Sequence, residues 1–210
     1  MRLLTFKTVF LIAIATARRV SGIHAISGLA SDILFASRNS SVTLNFLPEF
    51  RAKNQAVQDL NRPLTIPGLK ALLCPEDADR LLCPIRALLY YLDRTKDHRQ
   101  DKRRLFLSLN SKHKKDIQKG TIARWIRTLI HLAYSQCASS LTPISTRAHE
   151  TRAIASSMAV ALGASLENVM RTAYWKSQTT FLHHYLRDVS QQSLDNSFSL
   201  GQVVFAGYQA

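Results

Sequence analysis

The chain has 210 residues, 46% of them hydrophobic, enough to enclose a core as one large domain or a domain with appendages, which excludes a disordered polypeptide. Twenty-eight lysines and arginines against 14 acids leave a net charge of +14, so a polyanionic partner is favoured: DNA, RNA or an anionic membrane surface. Cys74, Cys83 and Cys137 lack Cys-x-x-Cys spacing and the acids are scattered, which argues against a zinc site, a disulfide framework or a two-metal nuclease. Any phosphate chemistry is therefore expected to use neither metal nor cofactor.

Residues 1–17 set Arg2 and Lys7 around an apolar run from Val9 to Ala15 and end in Ala-Thr-Ala, which imitates a signal peptide. Secretion after cleavage near Ala17 is one reading; the other is a buried first helix with Leu3, Leu4, Val9, Phe10, Ile12 and Ile14 around most of its surface. The odd cysteine count and the basic remainder favour the helix, and the run is short for a membrane span, so no membrane partner is expected. Arg18 and Arg19 follow it, where cations complement the carbonyl end of a helix. Residues 32–36 and 41–46 predict two strands joined by a turn at 37–40, with a third strand at 64–66. Between the second and third strands lies a polar, hairpin-like segment that carries Lys53.

Pro84 opens a helix that runs through Leu92; residues 95–104 and 112–115 read as charged loops around a short buried segment at 105–109. From Thr121, Ile122, Trp125, Ile126, Leu129 and Ala133 recur at helical spacing, with Trp125 inward and Arg124 and Arg127 on another side. A helix beginning at Ser145 or Thr146 would carry His149 and Arg152 on one face, pass through Ile154, Met158 and Leu162, and stop at Gly163. Ser165 caps the next helix, residues 166–173, whose Leu166, Val169, Met170 and Ala173 point inward. After Trp175 a short helix over 179–189 bears Tyr185, and a polar tail from Ser190 precedes the apolar Val203, Val204 and Phe205. The pattern describes an α+β domain, mostly helical, with a small antiparallel sheet in its N-terminal third.

His149 and Arg152 near a helix N-terminus form a natural phosphate seat, because free N–H groups and the helix dipole already favour an anion there. Arginine adds a fork for two phosphate oxygens, histidine adds a proton carrier, and Tyr185 adds a phenol able to attack phosphorus.

These residues, in this order, resemble the catalytic domain of tyrosine recombinases of the phage-integrase type, over roughly residues 16–188. The family's pattern falls on Arg19 in Arg-Arg-Val-Ser, Lys53 in Arg-Ala-Lys-Asn-Gln, His149 and Arg152 in His-Glu-Thr-Arg, Trp175, and Tyr185. Ala-Lys-Asn-Gln, Leu-Cys-Pro-Ile-Arg-Ala-Leu and Tyr-Leu-Arg-Asp are similar to the recombinases of eukaryotic tyrosine-recombinase retroelements. The resemblance implies a DNA breaking-rejoining domain over residues 1–190 and a tail over 191–210, without the family's N-terminal core-binding domain. It implies double-stranded DNA and further copies of the chain as partners, in the nucleus if the source is a eukaryotic mobile element and in the cytoplasm otherwise. Tyr185 would form a 3′-phosphotyrosyl link, with Arg19 and Arg152 neutralising the phosphorane and Lys53 protonating the leaving 5′-oxygen. His149 would manage the proton near the tyrosine, and Trp175 would offer its indole N–H. Gly22 stands where the family commonly has a glutamate, and the Trp175 to Tyr185 interval is one position longer than usual. A DNA-binding module of the same fold that has lost its chemistry is the alternative.

Overall fold

The computed structural model describes residues 1–52, 62–69, 81–99, 102–108, 117–136, 147–175 and 177–186. Helix α1 (Arg2–Thr16) is apolar almost all round, and a helix of that kind has to be enclosed. It packs against α3 (Pro84–Thr95), α4 (Lys119–Gln136) and α5 (Glu150–Ala161) and touches the sheet. Three buried threonines interrupt its apolar surface without leaving a hydroxyl unpaired. Thr5, Thr8 and Thr16 donate to the carbonyls of Met1, Leu4 and Ile12, one turn back, at 3.2, 2.8 and 2.7 Å.

Ala17 adopts a left-handed conformation (φ 47°) that ends α1, and the chain enters α2 (Val20–His24) with Arg19 at its N-cap. The sheet follows in antiparallel order: β1 (Ile33–Phe35), β2 (Ser41–Leu44) and β3 (Leu64–Pro67), with Ile33 opposite Leu44 and Leu44 opposite Leu64. Val42, Leu44, Leu64 and Ile66 line the buried face. Thr43 and Thr65 sit on the other face with their hydroxyls 3.2 Å apart, as alternation requires. The expected turn at 37–40 is a short 3₁₀ segment in which Arg38 and Asn39 both take positive φ. Both outer strands are near their expected lengths, and β2 stops at Leu44 because Phe46 leaves the ladder to pair with Ile26.

Pro84 lies in the first turn of α3, whose Ile85, Leu88 and Tyr91 are buried. The segment expected to be buried at 105–109 has Leu105 and Phe106 in the core, with Leu105 N–H donating to Ile26 and Leu107 N–H to the Tyr91 hydroxyl. Its passage depends on Gly28: a Cβ there would meet the Arg104 carbonyl oxygen at 2.4 Å, and both partners are backbone. Gly28→Ala is expected to cost about 1–3 kcal/mol through forced separation of the two segments, read as a lower urea midpoint.

Helix α4 starts two residues before Thr121 and buries Ile122, Trp125 and Ile126, while Ala133 is exposed. The inward stripe was expected to reach Ala133; the last turns of α4 instead run past the core, leaving residues 131–135 at the surface. Helix α5 begins at Glu150 rather than at Ser145 or Thr146, which lie outside the described residues, as do Lys53, Cys74, Cys137 and the tail from residue 187. A tight turn precedes it, held by the Glu150 carboxylate accepting from Arg147 N–H at 3.1 Å.

Helix α5 closes as its glycine predicts. Gly163 (φ 91°) donates to Val160, and Ala164 N–H reaches back to Ala159 at 2.9 Å, the paired bonds of a Schellman end. Ser165 accepts from Asn168 N–H to cap α6 (Leu166–Ala173), and Ser177 accepts from Thr180 N–H to cap α7 (Gln178–His184). Helix α7 was expected to carry Tyr185 within it and continue to 189, but it ends at His184 with Tyr185 as its C-cap. Among the described residues the core has two parts. The larger joins α1 to the sheet and α2–α4; the smaller gathers Ile14, Met158, Val169, Trp175 and Phe181 under α5–α7.

Candidate active site

The left-handed turn at Ala17 has a consequence for Arg18 and Arg19. Their guanidinium groups do not fold back on the carbonyl end of α1, as terminal arginines were expected to do, but lie over aromatic rings of neighbouring segments. Arg18 has its guanidinium carbon 4.9 Å from the Tyr174 ring centre and 5.8 Å from that of Phe46, and Arg19 stands 5.9 Å from Trp175. A cation over a ring face is attracted by the ring quadrupole while its N–H edge stays available.

Trp175 reaches this place through a second left-handed turn. Tyr174 (φ 59°) ends α6, and Trp175 N–H donates back to Met170 at 2.8 Å, sending the indole beneath α5. There Arg152, in the first turn of α5, stacks on it at 3.7 Å, and the Tyr185 ring lies 4.2 Å away at 58°. Phe181 backs the indole at 5.5 Å. The Tyr185 carbonyl accepts from Ser157 of α5 at 3.2 Å, so the end of α7 is tied to the helix that carries Arg152.

Arg152 is only 4% exposed, yet its Nε and Nη2 have no hydrogen-bond partner among the described residues, nor does the buried Trp175 Nε1. Burial, then repulsion from Arg19 and Arg18, pushes the Arg152 guanidinium down to about 9, against an opposing pull from the Tyr185 phenol. Burial pushes Arg18 down to about 10, with Tyr174 opposing. Both groups remain cationic at neutral pH, and no carboxylate of the described residues contributes to either shift. Unpaired buried charge costs several kcal/mol per ion, and an anion with several acceptor oxygens would relieve that cost.

Of the residues singled out in the sequence, Arg19, Arg152, Trp175 and Tyr185 thus share one cluster with Trp175 at its centre. His149 is exposed at the N-cap of α5, and its carbonyl accepts from Arg152 N–H at 3.2 Å. Lys53 lies outside the described residues, on the connection that leaves the paired Leu44 and Leu64 ends of β2 and β3. Phe46, near the start of that connection, already touches Arg18. Arg18 and Tyr174 were not singled out from the sequence. Their only signal was adjacency to Arg19 and Trp175, and their part depends on two left-handed turns that no residue type there announces.

Among the described residues, no group of three or more His, Cys, Asp or Glu side chains could hold a metal ion, and no helix is long and apolar enough to cross a membrane. No protein-family model matches the chain, and no curated protein matches it. Its structure is similar to the crystal structure of XerA recombinase, with a TM-score of 0.56 and 18% identity over 91% of this chain. The chain spans 59% of the length of that one. At this identity the likeness is one of fold alone: mostly helical, with a small three-stranded antiparallel sheet among the described residues.

Proposed function

We propose that the chain cleaves and rejoins DNA strands through a 3′-phosphotyrosyl intermediate on Tyr185. The observation that carries this reading is the buried guanidinium of Arg152, whose Nε and Nη2 are unpaired among the described residues and which shares the Trp175 ring with Arg19 and Tyr185. A tyrosine beside a cation with no hydrogen-bond partner for its Nε and Nη2 among the described residues suits an attack on a phosphodiester. The phenol oxygen forms a bond to phosphorus as the bond to the 5′-oxygen breaks, and a later 5′-hydroxyl reverses the exchange and frees the phenol. Each step replaces one P–O bond by another, so no energy source is consumed.

In this reading Arg19 and Arg152 neutralise the non-bridging oxygens, and Trp175 Nε1 adds a donor. Oriented donors of this kind are worth about 2.7–4 kcal/mol each in comparable sites. His149 handles the phenol proton and Lys53 the proton of the leaving oxygen, since a phenol needs such help at neutral pH. Double-stranded DNA is the substrate, further copies of the chain complete the exchange, and the retroelement-like stretches support a eukaryotic mobile element as the source, in which case the chain works in the nucleus, and otherwise in the cytoplasm. One feature favours the non-catalytic module instead: Gly22 is buried in α2 where the family's glutamate would stand, so α2 offers no carboxylate at that position.

The test is covalent capture. Incubated with supercoiled plasmid and quenched in detergent, the natural chain is expected to form a protein–DNA adduct that Tyr185→Phe lacks entirely. An adduct that survives Tyr185→Phe would sink the nucleophile assignment. No adduct, with salt-sensitive DNA binding retained, would establish the binding module.

A further inference from the structure

We propose that Arg18 is a third phosphate ligand of this site, holding the phosphate next to the one gripped by Arg19 and Arg152 on the same strand. The proposal rests on the phosphate-binding reading above and extends it to a residue outside the family's pattern.

Three observations carry it. Arg18 is wedged between Tyr174 and Phe46, and its buried Nε has no partner among the described residues. A cation held there only to pack would leave an unsatisfied donor that an apolar side chain would avoid, so the arrangement makes sense when an acceptor arrives. Next, Arg18 is close enough to Arg152 for their charges to repel, so it belongs to the same electropositive patch. Finally, the sequential rings Tyr174 and Trp175 separate the two sequential arginines. Arg19 shares Trp175 with Arg152, whereas Arg18 is carried to Tyr174. Two guanidinium groups over one ring converge on one anion, and the displaced third is set for a neighbouring one. Successive phosphates of a strand lie about 3.4 Å apart along the helix axis.

Tyr174 is then more than a turn residue. Its left-handed backbone, strained for a residue with a Cβ, both ends α6 and brings the ring to Arg18.

The experiment is the salt dependence of duplex binding, measured by fluorescence anisotropy in the Tyr185→Phe background so that chemistry plays no part. Each phosphate contact contributes about 0.9 to the slope of log K against log salt. Arg18→Gln is expected to lower the slope by about that much, Arg19→Gln alone to leave it near the natural value because Arg152 still holds their shared phosphate, and Arg19→Gln with Arg152→Gln to lower it by about one contact. Arg18→Met, which keeps the apolar stem over both rings, serves if the glutamine variant melts early, and Arg18→Lys is expected to keep the slope.

A folded Arg18→Gln or Arg18→Met with the natural slope, beside a lowered one for the Arg19→Gln, Arg152→Gln pair, would overturn the proposal while leaving the active-site reading intact. Replacement of all three arginines by glutamine that loses only one contact would place them on one phosphate and overturn the neighbouring-phosphate assignment. A lowered slope for Arg18→Gln with none for the Arg19→Gln, Arg152→Gln pair would instead remove that pair from the bound phosphate and overturn the active-site reading beneath the proposal.

Discussion

Arg152→Met is expected to unfold at a higher temperature than the natural chain and, at the same time, to lose adduct formation by about 10²–10³-fold. The two effects have one origin. Arg152 is enclosed at 4% exposure with two guanidinium nitrogens unpaired, and it is repelled by Arg19 and Arg18. Its stack on Trp175 at 3.7 Å opposes this, but a cation–π contact gives about 2 kcal/mol when desolvated, less than the several kcal/mol of burying an uncompensated ion. Methionine fills nearly the same volume against the indole without the charge, so a net gain of about 1–2 kcal/mol is expected. The pH dependence has a definite sign. The folded chain holds the Arg152 proton at about 9, well below the ordinary guanidinium range, so the unfolded chain binds it more tightly. The burden on the fold is fully present below pH 9 and is relieved as pH rises through it. The advantage of Arg152→Met in thermal melts is therefore expected to be largest at neutral pH and to shrink above pH 9. Equal melting of the two proteins at pH 7 would show that Arg152 is compensated within the chain, and the case for a waiting anion would fail.

Trp175→Ala is expected to cost about 3–5 kcal/mol and to lower adduct formation beyond what lost stability explains. Trp175 is the hub of the smaller core: Phe181 lies at 5.5 Å, Tyr185 at 4.2 Å and Arg152 at 3.7 Å. Removing it opens a cavity that α6 and α7 can fill only by moving, and α7 delivers Tyr185. Trp175→Phe keeps much of the volume but not the N–H, so it is expected to restore most of the stability and less of the adduct. Denaturant midpoints set beside adduct yield at a temperature where all three proteins are folded separate the two roles. Full recovery of both by phenylalanine would reduce Trp175 to a packing residue.

The sites of agreement and disagreement between sequence and structure follow a physical line. Where a single element carried its own signal, the expectation matched: alternation over β2, Pro84 opening α3, Ser165 capping α6, and Gly163 closing α5. These are local effects, in which side-chain and backbone chemistry within a few residues decides the conformation. Helix ends set by neighbours were misplaced. Helix α5 begins at Glu150, after a turn tied by its own carboxylate, and α7 ends at His184, with both Tyr185 N–H and Leu186 N–H returning to the Phe181 carbonyl.

From its residues alone, the chain could be recognised as basic, mostly helical and provided with arginines, a histidine, a tryptophan and a tyrosine in a suggestive order. Local periodicity and charge are properties of short stretches, and they survive without knowledge of the fold. What only the tertiary structure decided is which of those groups meet. The ring of Trp175 receives Arg152 from α5, Arg19 from α2 and Tyr185 from the end of α7, because left-handed turns at Ala17 and Tyr174 redirect the chain and a shared apolar core holds the elements together. The same packing removes the guanidinium of Arg152 from water without supplying, among the described residues, a partner for its Nε or Nη2, and that property exists in no segment of the chain taken singly.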